Sequence, residues 1–118
     1  VIVASTSSMT AVARAAEYCA SKAGVLALVR SASCEYASMG VRVNAVMAGT
    51  TRTPMLASAL AEAEKSGTGL EAYLASVHPI GRFAEPNEIG TAIRWLISDE
   101  ASFVTGSAMA VDGGSTSI

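Results

Sequence analysis

The 118-residue chain carries eight Lys and Arg against ten Asp and Glu, a formal net charge of −2, and its basic residues are scattered, which leaves no electrostatic footprint for nucleic acid. Hydrophobic residues make up 51% and charged residues 15%; this excludes a disordered chain and is apolar enough for a lone domain that some faces are expected to be covered by another subunit or by further chain. The apolar stretch from Ala23 to Val29 is far short of the ~20 residues of a membrane span, no signal-peptide pattern opens the chain, and Val1 is not an initiator Met, so the expectation is a cytoplasmic protein whose N-terminus lies upstream.

Val1 to Ala4 is a short apolar run that breaks into Ser5-Thr6-Ser7-Ser8, the pattern of a buried parallel strand ending in a polar loop. The C-terminal end of such a strand is where sites form. From Glu17 to Met39 the chain is rich in Ala, Leu and Val without Pro, and Gly40 stands in the C′ position, which predicts one long helix. Because Ala23 to Val29 is apolar nearly all round, this helix is expected to pack on a sheet on one side and on another helix on the other. Cys19 and Cys34 lie ~22 Å apart along it, too far to pair, and are read as reduced packing residues. One His and no Cys-x-x-Cys pair give no support for a zinc site.

Val41 to Met47 has the β-branched content of a second strand, ending at Ala48-Gly49. Strand, helix and strand make a parallel crossover, the unit of a doubly wound sheet. Residues 54–77 are Ala-rich and amphipathic with interruptions at Gly67 and Gly69, which predicts two short helices forming a lid, with Leu56, Leu60, Leu70 and Leu74 as its apolar face. Gly67-Thr68-Gly69-Leu70-Glu71-Ala72 formally fits a dinucleotide fingerprint, but it follows a helical stretch rather than a strand and reads as a loop. His78, before Pro79, has no partner in sequence and reads as a loop residue. Pro86 starts a helix on which Ile89, Ala92, Ile93, Leu96 and Ile97 recur at i, i+3, i+4, i+7 and i+8; Trp95 on it is assigned to the core or a subunit interface. Ala108 to Val111 is the last strand, before Asp112-Gly113-Gly114. The sum is one α/β unit of three strands with flanking helices.

Chemistry concentrates near the first strand. Tyr18 and Lys22 are four apart, one turn along a single helix face. A free phenol is a poor base near neutral pH, and a neighbouring ammonium stabilises the phenolate. Ser5, at the strand end, is placed to offer its hydroxyl to a carbonyl oxygen beside the phenol. The residues between Tyr18 and Lys22 are small (Cys19, Ala20, Ser21), so a ligand can approach the helix closely.

With these residues in hand the chain resembles the classical short-chain dehydrogenases/reductases. Val1-Ile2-Val3-Ala4-Ser5 is similar to the family's serine-bearing strand and Tyr18-Cys19-Ala20-Ser21-Lys22 to its Tyr-x-x-x-Lys motif. Val43-Asn44-Ala45-Val46 is similar to the next strand and Ala48-Gly49-Thr50-Thr51-Arg52-Thr53 to the Pro-Gly-x-Ile-x-Thr turn. Pro79 to Glu88, and Val104-Thr105-Gly106 through Asp112-Gly113-Gly114, complete the series. The resemblance implies the C-terminal part of a Rossmann-type doubly wound parallel sheet, and hydride transfer between NAD or NADP and an alcohol or ketone. It assigns Tyr18 both proton transfer and a place in the cofactor site. Lys22 would lower the Tyr pKa and hold the nicotinamide ribose, and Ser5 would orient the substrate, with Ser7 and Ser8 as less well spaced substitutes. Gly49, the Thr51 backbone and the Thr53 hydroxyl would hold the carboxamide. Ala48 stands where the family usually has Pro, and Thr51 replaces a common Ile.

The family's glycine-rich turn, the residue that selects NAD or NADP, the Asn-Asn-Ala-Gly segment and a catalytic Asn would all lie upstream of Val1. Residues 1–118 are therefore expected to be the C-terminal part of one NAD(P)-binding domain, inactive alone, within a homotetramer. The competing reading is a truncated, non-catalytic module that acts by oligomerising.

Overall fold

The computed structural model describes residues 1–117. Its sheet has three parallel strands in the order β1 (Ile2–Ser5), β2 (Ala45–Ala48) and β3 (Ala108–Val111). Ile2 pairs with Ala45 and Ser5 with Ala48, while Ala45 pairs with Ala108 and Ala48 with Val111. Helix α1 (Ala16–Tyr36) follows β1; α2 (Pro54–Lys65), α3 (Leu70–Ser76) and α4 (Pro86–Ile97) lie between β2 and β3.

Central strand β2 is buried on both faces, as side chains alternating at a period of two require when both faces are covered. Ala45 and Met47 pack with Ala4 against Leu26 and Val29 of α1. Val46, between them, points the other way and packs with Ile89 and Leu96 of α4, with Trp95 and Met109 alongside. Helices on opposite faces of a parallel sheet define the Rossmann-type, doubly wound arrangement that the chain order implied.

The second strand starts later than its β-branched content suggested. Residues 41–44 do not lie within β2 because their polar groups anchor the approach to β3. Arg42 donates to the carbonyls of Leu96, Ser98 and Val104 at 2.7, 3.1 and 3.1 Å, and the Val43 amide donates to Thr105 Oγ1 at 3.0 Å. Asn44, only 1% exposed, donates through Nδ2 to the Val104 carbonyl at 2.8 Å and accepts the Ser107 amide on Oδ1 at 3.0 Å. Both strand entries are thereby held in register by one buried side chain.

Helix α1 ends at Tyr36, and a single 3₁₀ turn, Ala37–Met39, carries the chain to Gly40 at φ 76°. Leu26, Val29 and Ser33 are buried at helical spacing, so one stripe meets the sheet. The opposite stripe does not meet a helix among the described residues: Leu28 is 57% exposed. Cys34 is also exposed, so of the two cysteines only the half-buried Cys19 has any packing role. Val3 is 46% exposed, and Phe103 is fully exposed. The surplus of apolar residues noted in the composition thus sits on uncovered faces of α1, β1 and the loop before β3.

Helices α2 and α3 bury no residue and pack chiefly on each other, so they form a projecting hairpin rather than part of the core. Gly67 and Gly69, at φ 64° and 61°, make the turn between them, so the formal fingerprint there is a loop. Pro54 occupies the first turn of α2, where its missing N–H costs nothing. The α4 start is closed by the Glu88 side chain, which accepts the Glu85 amide at 2.8 Å, while the Glu88 amide donates to the Glu85 carbonyl at 2.9 Å.

Replacing Asn44 by Ala leaves the Ser107 amide without its partner and the Val104 carbonyl with Arg42 as its one remaining side-chain donor. The expected loss is about 2–3 kcal/mol of stability for the whole protein, measured by denaturant unfolding; a loss under about 0.5 kcal/mol would contradict this account of the strand register.

Candidate active site

A cavity of about 1260 Å³ opens at the C-terminal ends of β1 and β2, with α2 and α3 as its outer wall. Ser5, Tyr18, Lys22, Gly49, Thr51 and Thr53 all line it, together with Met55, Leu56, Leu70, Tyr73, Leu74 and Val77 of the helical hairpin. Leu60, expected on that apolar face, does not line it.

Tyr18 and Lys22 come from the N-terminal half of α1. The Tyr18 side chain is 45% exposed, with the Lys22 ammonium 5.8 Å from its ring centre. Lys22 also donates to the Val3 carbonyl at 3.2 Å. One of the three ammonium hydrogens is used there, and the contact fixes the charge between the β1 edge and the phenol ring.

Ser5 closes β1 in extended geometry and caps the 3₁₀ turn Thr6–Ser8. Its Oγ accepts the Ser7 amide at 3.2 Å, and its hydroxyl donates to Ser7 Oγ at 3.3 Å. The second bond is long for one between hydroxyls, so exchanging it for a ligand oxygen costs little. Ser7 also lines the cavity. Ser8 does not; its hydroxyl accepts the Ser5 amide at 3.4 Å.

The turn after β2 is fixed from both sides. The Gly49 amide donates to the Val111 carbonyl at 3.0 Å. A Cβ at Gly49 would stand 2.8 Å from the Asp112 Cα and 3.0 Å from His78 Nε2, so only glycine allows this approach. Thr51 forms an isolated parallel bridge with Ala84: the Ala84 amide donates to the Thr50 carbonyl and the Arg52 amide to the Ala84 carbonyl, each at 2.9 Å. In such a bridge the intervening residue's own N–H points away from the partner, so the Thr51 amide is turned from Ala84, in a residue that lines the cavity. Thr53 caps α2 by accepting the Leu56 amide on Oγ1 at 3.2 Å, a bond that leaves its O–H hydrogen for another acceptor.

His78 lies in the loop after α3, as its sequence position suggested, but it is not without partners. It is 4% exposed and lines this cavity. Its Nε2 accepts the Thr50 amide at 3.0 Å, so the ring proton sits on Nδ1, which meets the Leu74 carbonyl at 2.7 Å. The partners are 28 and four residues distant, and no local motif announces the first. Phe83 meets the His78 ring edge-on at 6.4 Å between centroids.

Asp112, also buried, completes the floor behind Gly49. Burial favours its protonated form, but donors from Thr116 Oγ1 at 2.7 Å, the Thr116 amide at 2.9 Å and the Gly114 amide at 3.0 Å outweigh that. The carboxyl is held below its ordinary range. A smaller cavity of about 350 Å³ lies beyond Gly49, Thr50 and His78, beside a two-pronged ion pair of Arg82 with Glu88 at 2.7 and 2.8 Å. The Arg82 bonds, aided by the Glu85 amide, lower the Glu88 pKa to about 2.

Set beside known proteins, residues 1–116 match a family model described as enoyl-(acyl carrier protein) reductase. The chain is 52% identical over 102 residues to a 2,5-dichloro-2,5-cyclohexadiene-1,4-diol dehydrogenase of Sphingobium indicum, covering 86% of this chain and 39% of that protein. It is 46% identical over 106 residues to a cis-4-hydroxycyclohexanecarboxylate dehydrogenase of Sinomonas cyclohexanicum, covering 90% and 40%. Among solved structures, 4-hydroxyisoleucine dehydrogenase complexed with NADH and succinate superposes with a TM-score of 0.85 at 31% identity, covering 98% of this chain and 45% of that one. The chain belongs to the short-chain dehydrogenase/reductase family and spans less than half the length of each of these proteins. Among the described residues no helix is long and apolar enough to cross a membrane.

Glu88 and Asp112 both have depressed folded-state pKa values, so each contributes stability that is present above its ordinary pKa and lost as pH falls through the lowered value. Thermal unfolding followed downward from pH 4.5 to about 2 should show falling stability, and Glu88→Gln should make the decline shallower. An unchanged slope in that variant would contradict the ion pair's role.

Proposed function

We propose that the whole protein carrying this chain is an NAD(P)-dependent oxidoreductase that interconverts a secondary alcohol and a ketone. The observation that carries this reading is convergence: Ser5 from a strand end, Tyr18 and Lys22 from one helix face, and the turn from Gly49 to Thr53 open on one cavity. The apolar hairpin wall, and two relatives named for substrates with six-membered carbon rings, support an alcohol on a small apolar ring.

The residues present fit a nicotinamide. Gly49 permits close backbone approach, the Thr51 amide and Thr53 hydroxyl offer donors for a carboxamide, and Lys22 has ammonium hydrogens left for ribose hydroxyls. When bound, the cofactor supplies or accepts the hydride. Tyr18 gives the substrate oxygen its proton in reduction and takes it back in oxidation. The Lys22 charge faces the negative charge that develops on the phenol oxygen as its proton leaves. Ser5 holds the substrate oxygen, exchanging its long bond to Ser7 for it, and the hairpin of α2 and α3 keeps water from the reacting atoms.

One observation favours the second reading, a non-catalytic module acting by assembly: exposed Leu28 and Phe103 offer apolar surface to another copy. A homotetramer reconciles that surface with catalysis, and turnover separates the two readings.

In the whole protein, Tyr18→Phe should lower kcat by at least about 100-fold while leaving cofactor affinity within about threefold, measured by steady-state kinetics and NAD(P)H fluorescence titration. Normal turnover in that variant would sink the proton-transfer assignment. Lys22→Met should weaken cofactor binding as well as turnover; unchanged affinity would remove Lys22 from the ribose.

A further inference from the structure

We infer that His78 is a positioning residue: as a neutral imidazole it ties the lid to the turn that faces the nicotinamide. This rests on the oxidoreductase reading above, and the observations are independent of it. The ring is buried and makes a bond at each nitrogen, one to the Thr50 amide at 3.0 Å and one to the Leu74 carbonyl at 2.7 Å. Thr50 immediately precedes Thr51, which lines the cavity. Leu74 lies in α3, the half of the lid nearest the chain's return to the core.

Apart from the Thr53 cap on the first turn of α2, no other side-chain bond joins the hairpin of α2 and α3 to this turn among the described residues, and the hairpin itself buries nothing. The imidazole therefore holds α3 over the cavity and fixes the Gly49–Thr50 peptide, the one immediately before the Thr50–Thr51 peptide that the Ala84 bridge orients. Because Nε2 must accept, the positively charged ring cannot make the Thr50 bond: it would set one N–H against another. The close approach of Gly49 to the same nitrogen, 3.0 Å for an added Cβ, leaves little room for a substitute of different shape.

The test uses three variants of the whole protein. In His78→Gln a carbonyl oxygen reaches the position of Nε2 and accepts the Thr50 amide. In His78→Asn only the nearer contact to Leu74 is reproduced, and in His78→Leu neither is. Positioning predicts that Asn and Leu lower kcat and weaken cofactor binding, together by roughly 10- to 100-fold, while Gln stays within about threefold of the parent. Amide hydrogen exchange should quicken at residues 74–77 in all three variants, since none keeps both bonds, and at Thr50–Thr51 in Asn and Leu only.

Parent-like kcat and cofactor affinity in a folded Asn variant would overturn the proposal, as would Gln as impaired as Asn or, in Asn, faster exchange at one end only. If Leu does not fold, the contrast of Gln with Asn decides. Failure of the underlying functional reading shows separately as full turnover in Tyr18→Phe, and the exchange data still judge the tie.

Discussion

The cavity depends on a close approach of two backbones. Where β2 runs out, Gly49 lies so near Asp112 that any Cβ there would fall 2.8 Å from the Asp112 Cα, and its amide is bonded to the last residue of β3. That contact sets the level of the next four residues. Thr50 is then within reach of His78, Thr51 bridges to Ala84, and Thr53 starts α2. Asp112 holds its own side of the contact rigid by accepting three hydrogen bonds from Thr116 and Gly114. A parallel sheet places the C-terminal ends of its strands at one edge, and this close approach converts the edge into a floor.

Around that floor the chain divides its labour. The buried strand β2 and the two helix faces packed on it supply rigidity, with Asn44 and Arg42 locking the entries of β2 and β3. The hairpin of α2 and α3 supplies coverage with little core of its own, which places it at the low-stability end of the molecule, where site-covering elements are usually found. The radius of gyration, 15.6 Å, exceeds the about 13.5 Å expected of a compact domain this long. Val3, Leu28 and Phe103 are exposed, so apolar surface is left open on β1, α1 and the loop before β3.

Much of this was readable from the residues, because the signals were local. Three strands and the helix positions followed from apolar runs, periodicity and the placement of Gly40 and Pro86. Tyr18 and Lys22 announced a shared helix face by their spacing alone. The failures share one cause, which is side chains bonding far along the chain. Residues 41–44 have strand-like composition, but Arg42 and Asn44 reach residues more than 50 positions away. His78 looked isolated because its decisive partner, the Thr50 amide, is a backbone group that carries no sequence signature. The apolar stretch on α1 was read as two buried faces, whereas Leu28 lies on a face that nothing in residues 1–117 covers.

The central claim is that hydride moves directly between an alcohol carbon and a nicotinamide in the cavity of Ser5, Tyr18 and Lys22. The most direct measurement uses the whole protein with oxidised NAD or NADP and cyclohexanol deuterated at the carbinol carbon, followed by mass spectrometry of the reduced cofactor. The account predicts reduced cofactor carrying one transferred deuterium. Reduced cofactor without deuterium, or no reduction by a folded protein that binds the cofactor, would contradict it.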